Sequence, residues 1–380
     1  MVVDTLPSPL RRALLLAGLA GLASGSGMGS AAEFKARALV FPRDFGSHPD
    51  TRTEWWYITG YASSGSAGAA DATARLFGFQ ITFFRSRVDG TQDMQSSFAA
   101  KQLLFAHAAI TDVQGKKLWH DQRLARSSGA SDIKAAAASE KDTDIRLRDW
   151  SLVRKGSVYT AVVPGADFQL NLQFRETQPL MLQGDKGLSR KGPQTQQASF
   201  YYSKPQMAVA GSLTVKGQTM VVEASRGVAW LDHEWSDEVL PPGAVGWDWI
   251  GMNLFDGSAL TAFRLRDKSG DTVWDGGSFR HPKMNPPDRA HVFSRGEVIF
   301  QASRGWKSPL TLASYPVEWL VRTPADYYIV KALVDNQELD SRNTTGAVYW
   351  EGLADLYDSN NRHVGRGYLE MTGYAKPLRL

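Results

Sequence analysis

Residues 168–174 read FQLNLQF, with an apolar side chain at every second position and an amide-bearing one between. Side chains along a strand point alternately to its two faces, so this segment belongs to a sheet with one dry face and one wet face. The same period returns in residues 76–85, where Phe77, Phe79, Ile81 and Phe83 share a face. Further strands are expected at residues 55–58, 102–110, 157–163, 347–357 and 367–374. Turn signals separate them: Lys216-Gly217 lies between apolar runs at 207–215 and 219–223, and Asp256-Gly257 between Met252 and Leu265. Residues 63–72 read as a loop, and the Ala-, Ser- and Gly-rich residues 127–139 as a connection. The strand ending MTGY (371–374) echoes ITGY (58–61). Many short strands, few convincing helices and this echo predict an all-β chain of two consecutive antiparallel β-barrel domains, residues 36–225 and 226–377.

The stretch 227–251, GVAWLDHEWSDEVLPPGAVGWDWIG, holds four of the twelve tryptophans, one of the seven histidines and five carboxylates. Read as a strand, it sends Trp230, Asp232 and Glu234 to one side and Leu231, His233 and Trp235 to the other. After Pro241-Pro242-Gly243 a second strand places Trp247 and Trp249 opposite Asp248, Ile250 and Met252. The expected product is a strand, a loop and a returning strand around an aromatic-walled cavity. One tryptophan is ordinarily core; a cluster joined by Trp55 and Trp56 exceeds the need of one barrel interior and suits a large apolar ligand.

The N-terminus has its own pattern. Arg11-Arg12 precede an apolar run from Ala13 to Ala23, and small residues follow, the order of a cleaved signal peptide spanning residues 1–32. A periplasmic location follows as an expectation. The run is shorter than the roughly 20 apolar residues a spanning helix needs. With no cysteine the chain forms no disulfide and offers no thiolate nucleophile. Loss of residues 1–32 takes Asp4, Arg11 and Arg12 and lowers the formal net charge from +4 to +3, with basic and acidic residues intermingled, so nucleic acid is not an expected partner.

Familiar catalytic devices are missing from the sequence: there is no G-x-S-x-G elbow, no H-E-x-x-H helix, no P-loop and no dinucleotide fingerprint. No cofactor and no metal are expected. Asp232 and Glu234 point away from His233 on a strand, and His48 becomes a second metal ligand only if the fold brings it close.

Six ordered segments resemble a known family: FPRDFGSHPDTRTEWWYITG (41–60), GLSRKGP (187–193), FYYS (200–203), AWLDHEWS (229–236), GWDWIG (246–251) and YWEG (349–352). They resemble hydroxyneurosporene synthase, the carotenoid 1,2-hydratases, and their exported AttH-like relatives often described as secreted hydrolases. The resemblance implies two consecutive lipocalin-like domains with a hydrophobic pocket. Two positions depart from the family's usual pattern: Phe45 stands where histidine is common, and Leu188 where an aromatic is common. The word hydrolase finds no nucleophile motif here.

Hydratase chemistry, as the resemblance implies it, adds water to an isolated alkene by acid catalysis without a cofactor. It needs an acid, for which Asp232 and Asp248 are the candidates, and a group that orients water or relays the proton, for which His233 is the candidate. Trp235, Trp247 and Tyr202 are the expected cation-facing rings, and Trp55, Trp56, Trp249, Tyr349 and Glu351 complete the expected ligand-binding set, with Glu351 a second acid. The expected ligand is an apolar isoprenoid or lipid. The rival reading is a binding module that passes such a ligand to an ABC-type envelope transport system.

Overall fold

The computed structural model describes residues 36–64, 74–96, 99–127, 135–284, 286 and 289–378. The signal-peptide reading, most of the loop at 63–72 and half of the connection at 127–139 fall outside them. Among the described residues the chain is all-β, and its helices are three single 3₁₀ turns, Arg43–Phe45, Asp89–Thr91 and Ala224–Arg226. No helix among them is long and apolar enough to cross a membrane.

Two antiparallel sheets carry the fold. The first contains β1 (Thr53–Ser63), β2 (Leu76–Arg87), β3 (Gln102–Asp112), β4 (Lys117–Ser127), β5 (Ala136–Ala138), β6 (Asp144–Leu147), β7 (Trp150–Lys155), β8 (Val158–Pro164), β9 (Phe168–Arg175), β10 (Met181–Leu182), β11 (Leu188–Arg190), β12 (Ala198–Val215), β13 (Gln218–Val222) and β14 (Gly227–Ser236). Their order is β4-β3-β2-β1-β14-β12-β9-β8-β7-β6-β5, with β10, β11 and β13 paired to β12. Its two ends curl toward each other. Arg148 Nη2 donates to the Leu124 carbonyl at 3.2 Å, and Ala166 N to Asp121 Oδ2 at 3.0 Å, which brings the β4 edge against the β5–β9 side.

The second sheet contains β15 (Gly246–Leu254), β16 (Ala259–Arg266), β17 (Thr272–Arg280), β18 (His291–Phe293), β19 (Ile299–Lys307), β20 (Ser314–Arg322), β21 (Tyr327–Ala332), β22 (Glu338–Ser341), β23 (Ala347–Tyr357) and β24 (His363–Met371). It runs β18-β17-β16-β15-β24-β23-β21-β20-β19, with β22 on β23. Ile250, Met252, Val317, Trp319, Trp350 and Leu356 fill its interior as one apolar cluster.

The expected alternation is realised: β9 is buried at Phe168, Leu170, Leu172 and Phe174 and exposed at every residue between. Both expected hairpins form, with Lys216, Gly217 and Gly257 in the left-handed backbone region that such turns require. The connection at 127–139 yields the short strand β5 rather than only a loop. The returning strand is corrected too. β14 lies between β1 and β12 in the first sheet, whereas β15 pairs with β16 and β24 in the second. The chain therefore passes from one sheet to the other at residues 237–245.

The sheets meet along polar and apolar contacts. A bulge in β12 between Lys204 and Met207 puts Gln206 in the left-handed region, and its backbone N–H donates to Asn253 Oδ1 at 2.7 Å in the second sheet. Nearby, Ser278 Oγ donates to Gln183 Oε1 and Thr111 Oγ1 to Gln337 Oε1, both at 2.7 Å. Gly78 permits the approach, because a Cβ there would meet Tyr368 Oη at 2.8 Å and Leu353 Cβ at 2.9 Å.

Candidate active site between the barrels

The register of β14 sorts the central residues. Trp56 lies opposite His233, and Tyr202 lies opposite His233 from the other side, so all three project into the first barrel. Tyr57 lies opposite Asp232, and these two face the second sheet. Sequence neighbours thus serve two different sites.

Inside the first barrel, Glu54 is a fully buried acceptor. Its Oε1 takes hydrogen bonds from His48 Nδ1 at 2.7 Å and His233 Nε2 at 2.9 Å. Its Oε2 takes Arg85 Nε at 2.8 Å, the His48 backbone N–H at 2.9 Å and Ser47 Oγ at 3.1 Å. Burial opposes the charge, but the hydrogen bonds from His233 and His48 and the nearby cations hold the Glu54 carboxyl well below the usual range. His233 is itself kept neutral by burial, its pKa lowered to about 4 despite Glu54, and its Nδ1 meets Tyr202 Oη at 3.0 Å. Trp235 stacks on His48 with centroids 3.7 Å apart, and Trp56 stacks on His233 at 4.5 Å.

His48, Glu54 and His233 are the one group among the described residues that brings three potential metal-ligating atoms within 4.8 Å of one another. Those atoms are already hydrogen-bonded within the group, Arg85 neutralises Glu54, and Asp44, which meets His48 Nε2 at 3.0 Å, is itself paired with Arg37 at 2.6 Å. The knot is closed as it stands.

Between the barrels the electrostatics are the reverse. Asp232 is 3% exposed and accepts from Tyr201 Oη at 2.8 Å, Ser203 Oγ at 2.5 Å and Trp230 Nε1 at 2.6 Å. Burial pushes its pKa up to about 7 against those three donors. Glu351 and Glu370 lie directly opposite each other on β23 and β24. Burial and the neighbouring Glu370 charge raise Glu351 well above the ordinary carboxyl range, and burial pushes Glu370 up to about 7. Two facing carboxyls of this kind cannot both ionise readily, so the pair retains a proton near neutrality. Among the described residues none of the three pairs with lysine or arginine.

Aromatic surface surrounds this acid cluster. Tyr57, Trp230, Trp249, Phe263 and Tyr368 belong to one buried cluster, with Trp55 and Trp247 packed against it. Trp249 meets Tyr57 edge-on at 5.4 Å and Trp230 at 6.4 Å. The buried Tyr57 phenol and Glu351 carboxyl interact with each other, and neither Tyr57 Oη nor Glu351 Oε1 has a closer partner among the described residues. A cleft of about 350 Å³ opens between the sheets and reaches Tyr201, the residue that donates to Asp232.

The expected trio of Asp232, His233 and Asp248 therefore does not converge. Asp232 is in the inter-barrel cluster and His233 in the first-barrel knot. Asp248 is tied to Arg264 Nε at 2.7 Å, Arg266 Nε at 3.4 Å and Tyr374 Oη at 2.9 Å, a saturated arrangement on the second-barrel side of β15. The expected ligand set divides likewise. Trp55, Trp247, Trp249 and Glu351 lie between the barrels, and Trp56, Tyr202 and Trp235 inside the first. Tyr349 bonds His107 Nδ1 across the sheets at 2.7 Å. Glu370, Tyr57, Tyr201, Glu54 and Arg85 escaped the sequence reading. The available signal was a lone carboxylate within an aromatic or apolar strand, as in Leu369-Glu370-Met371.

A family model described as AttH-like matches residues 33–374. A Nitrosomonas europaea protein of known crystal structure, assigned as an AttH, is 42% identical; the match covers 90% of this chain and 99% of that one, with a TM-score of 0.79. Kievitone hydratase from Nectria haematococca is 13% identical over 89% of this chain and 94% of its own, with a TM-score of 0.66. CghA, solved with Sch210972, is 13% identical over 87% and 89%, with a TM-score of 0.52. At 13% identity these two attest the fold alone. Comparison with curated proteins gave no match. With a family model spanning nearly all of the two-barrel structure and a 42%-identical relative of the same architecture, the chain belongs to the AttH-like family.

Proposed function

We propose that this protein binds an unsaturated apolar molecule between its barrels and adds water to a carbon–carbon double bond by acid catalysis. One observation carries the reading: Asp232, Glu351 and Glu370 lie among aromatic rings without a cationic partner, and each holds its proton unusually tightly. Such a carboxyl is a competent acid near neutral pH.

In the proposed step Asp232 delivers its proton to one alkene carbon. The positive charge that develops on the other carbon faces Trp249, Trp230 and Tyr57, and a desolvated aromatic face stabilises a cation by about 2 kcal/mol. Water adds to that carbon as the ionised member of the Glu351–Glu370 pair accepts its proton. The product is an alcohol, and proton exchange with solvent through the cleft restores both carboxyls. The phenols of Tyr57 and Tyr201 stay protonated, because burial raises their pKa values well above the ordinary range, so they serve as hydrogen-bond donors. The hydratase activity named for the Nectria haematococca neighbour is in keeping with this chemistry. The order of residues 1–32 supports action after export, in the periplasm.

The test is incubation with a panel of apolar alkenes in ¹⁸O-labelled water, followed by mass spectrometry. Label in the product with the wild-type protein, and at least a hundredfold less with folded Asp232→Asn, is the expected result. Tight binding of the panel with no label incorporated by the wild type would leave a binding module instead.

A further inference from the structure

The cleft between the barrels combines a buried apolar base with charged residues nearer solvent. Tyr201 and Phe263 are 2% and 7% exposed, whereas Arg190 is half-buried and Arg295 exposed, and all four line the same space. Arg190 belongs to β11 of the first barrel, and Arg295 follows β18 of the second. Neither forms an ion pair among the described residues. Arg190 uses Nη2 on the carbonyls of Gly192, Pro193 and Gln194 at 3.1, 2.8 and 3.0 Å, while its Nε is buried and has no partner. The Arg295 guanidinium lies over Trp274, 4.7 Å from the ring centroid.

Two carboxylates also line the cleft. Asp275 is occupied, its two oxygens accepting the backbone N–H groups of Gly296 at 2.9 and 2.8 Å and Val298 at 3.1 Å. Asp185 is exposed and has no ion pair, so the lining is formally balanced, two arginines against two aspartates, and the case for an anionic head rests on the partnerless Arg190 Nε. An unpaired buried guanidinium N–H has a strong preference for an anionic acceptor, and Arg190 Nε, with Arg295 lining the same cleft from the second sheet, suits a carboxylate.

We infer that the ligand is an unsaturated long-chain carboxylic acid, its head held by Arg190 and Arg295 and its chain running past Phe263 toward Tyr201. This rests on the inter-barrel reading of the site but adds a requirement that hydration alone does not impose. An anionic head bridging the two barrels fixes how deep the chain reaches, and so which double bond meets the acid cluster.

Oleate, methyl oleate and oleyl alcohol are titrated below their aggregation concentrations into the full chain and its variants, with binding followed by calorimetry and tryptophan fluorescence. Oleate is expected to bind at least tenfold more tightly than methyl oleate, a difference of 1.4 kcal/mol, and the preference to vanish in the Arg190→Gln/Arg295→Gln double variant. Because Arg190 also holds its own loop, Arg295→Glu provides a second arm. It changes an exposed residue and should weaken oleate more than Arg295→Gln does while leaving methyl oleate unchanged. Equal affinity for acid and ester, or a preference that survives the double variant, overturns the inference. The two readings fail separately: arginine-dependent selectivity without labelled water in the product sinks the hydratase, and labelled water in ester and acid alike with equal affinities sinks the carboxylate head.

Discussion

Replacing Glu54 with glutamine keeps the shape of the side chain and removes the charge on which the first-barrel knot depends. The carboxylate accepts five hydrogen bonds, from Ser47 Oγ, His48 N, His48 Nδ1, His233 Nε2 and Arg85 Nε. Glutamine presents one acceptor oxygen and one NH₂ donor, so donors must face a donor on one side. Arg85, 1% exposed, also loses its carboxylate partner in a fully buried setting. Removing one member of a buried ion pair costs about 3–5 kcal/mol, far more than a neutral hydrogen bond at about 1 kcal/mol. The larger figure governs here, because the guanidinium cannot reach water without opening the barrel. At roughly 2 °C per kcal/mol for a protein of this size, the melting temperature should fall by about 6–10 °C. Urea unfolding of wild type and Glu54→Gln, followed by near-ultraviolet circular dichroism, measures the cost, while affinity for an apolar probe should stay within about threefold in the folded variant. A cost below 1 kcal/mol, or loss of ligand binding in a variant of undiminished stability, would refute the structural role, return His233 to the list of reacting groups and add Glu54 to it.

Stability should also depend on pH through Asp232. Its folded pKa of about 7 lies above its ordinary 3.8, so the folded state binds the extra proton between those values and stability is lost as pH rises through that window. Taken alone the shift is worth up to about 4 kcal/mol. His233, lowered to about 4, acts oppositely, losing stability as pH falls below 6.5, so the clean comparison is with Asp232→Asn, which lacks the carboxyl. Relative to that variant the wild type should lose stability from pH 4 to pH 8 in chemical denaturation, and parallel curves would dismiss the raised acid. Asp248→Asn should cost about 3 kcal/mol by leaving Arg264 and Arg266 without their carboxylate, yet leave turnover of the folded protein unchanged. A folded Asp248→Asn protein with abolished turnover would restore it as an acid.

How much of this was legible in the sequence depended on whether the determinant was local. Alternation at Phe168, Leu170, Leu172 and Phe174 and the turns at Lys216-Gly217 and Asp256-Gly257 are local, and they specify strands and hairpins without reference to distant residues. Strand geometry also separated Asp232 from His233, although both were assigned to one cavity. What decides between cavity and core is which sheet lies against each face, and that depends on pairings such as Trp56 with His233 and Glu351 with Glu370, 177 and 19 residues apart. Glu370 belongs to none of the six segments, and Glu54 and Tyr57 lie in the segment 41–60 without a catalytic pattern of their own. Their importance arises when the register places an acid beside an imidazole, another acid or a buried phenol. The tryptophans were conspicuous, but one aromatic-rich stretch supplied both the first-barrel core and the inter-barrel wall.

The location of the site is tested most directly by photo-crosslinking. A long-chain unsaturated acid carrying a diazirine near its double bond is bound to the purified protein, irradiated, and the labelled peptides identified by mass spectrometry. Labels competed away by unmodified ligand are expected on residues between the barrels, chiefly Tyr201, Trp249 and Phe263. Competed labels confined to the first-barrel interior, at Trp56, Phe83 or Trp235, would contradict an inter-barrel site and move the chemistry to the His48–Glu54–His233 knot.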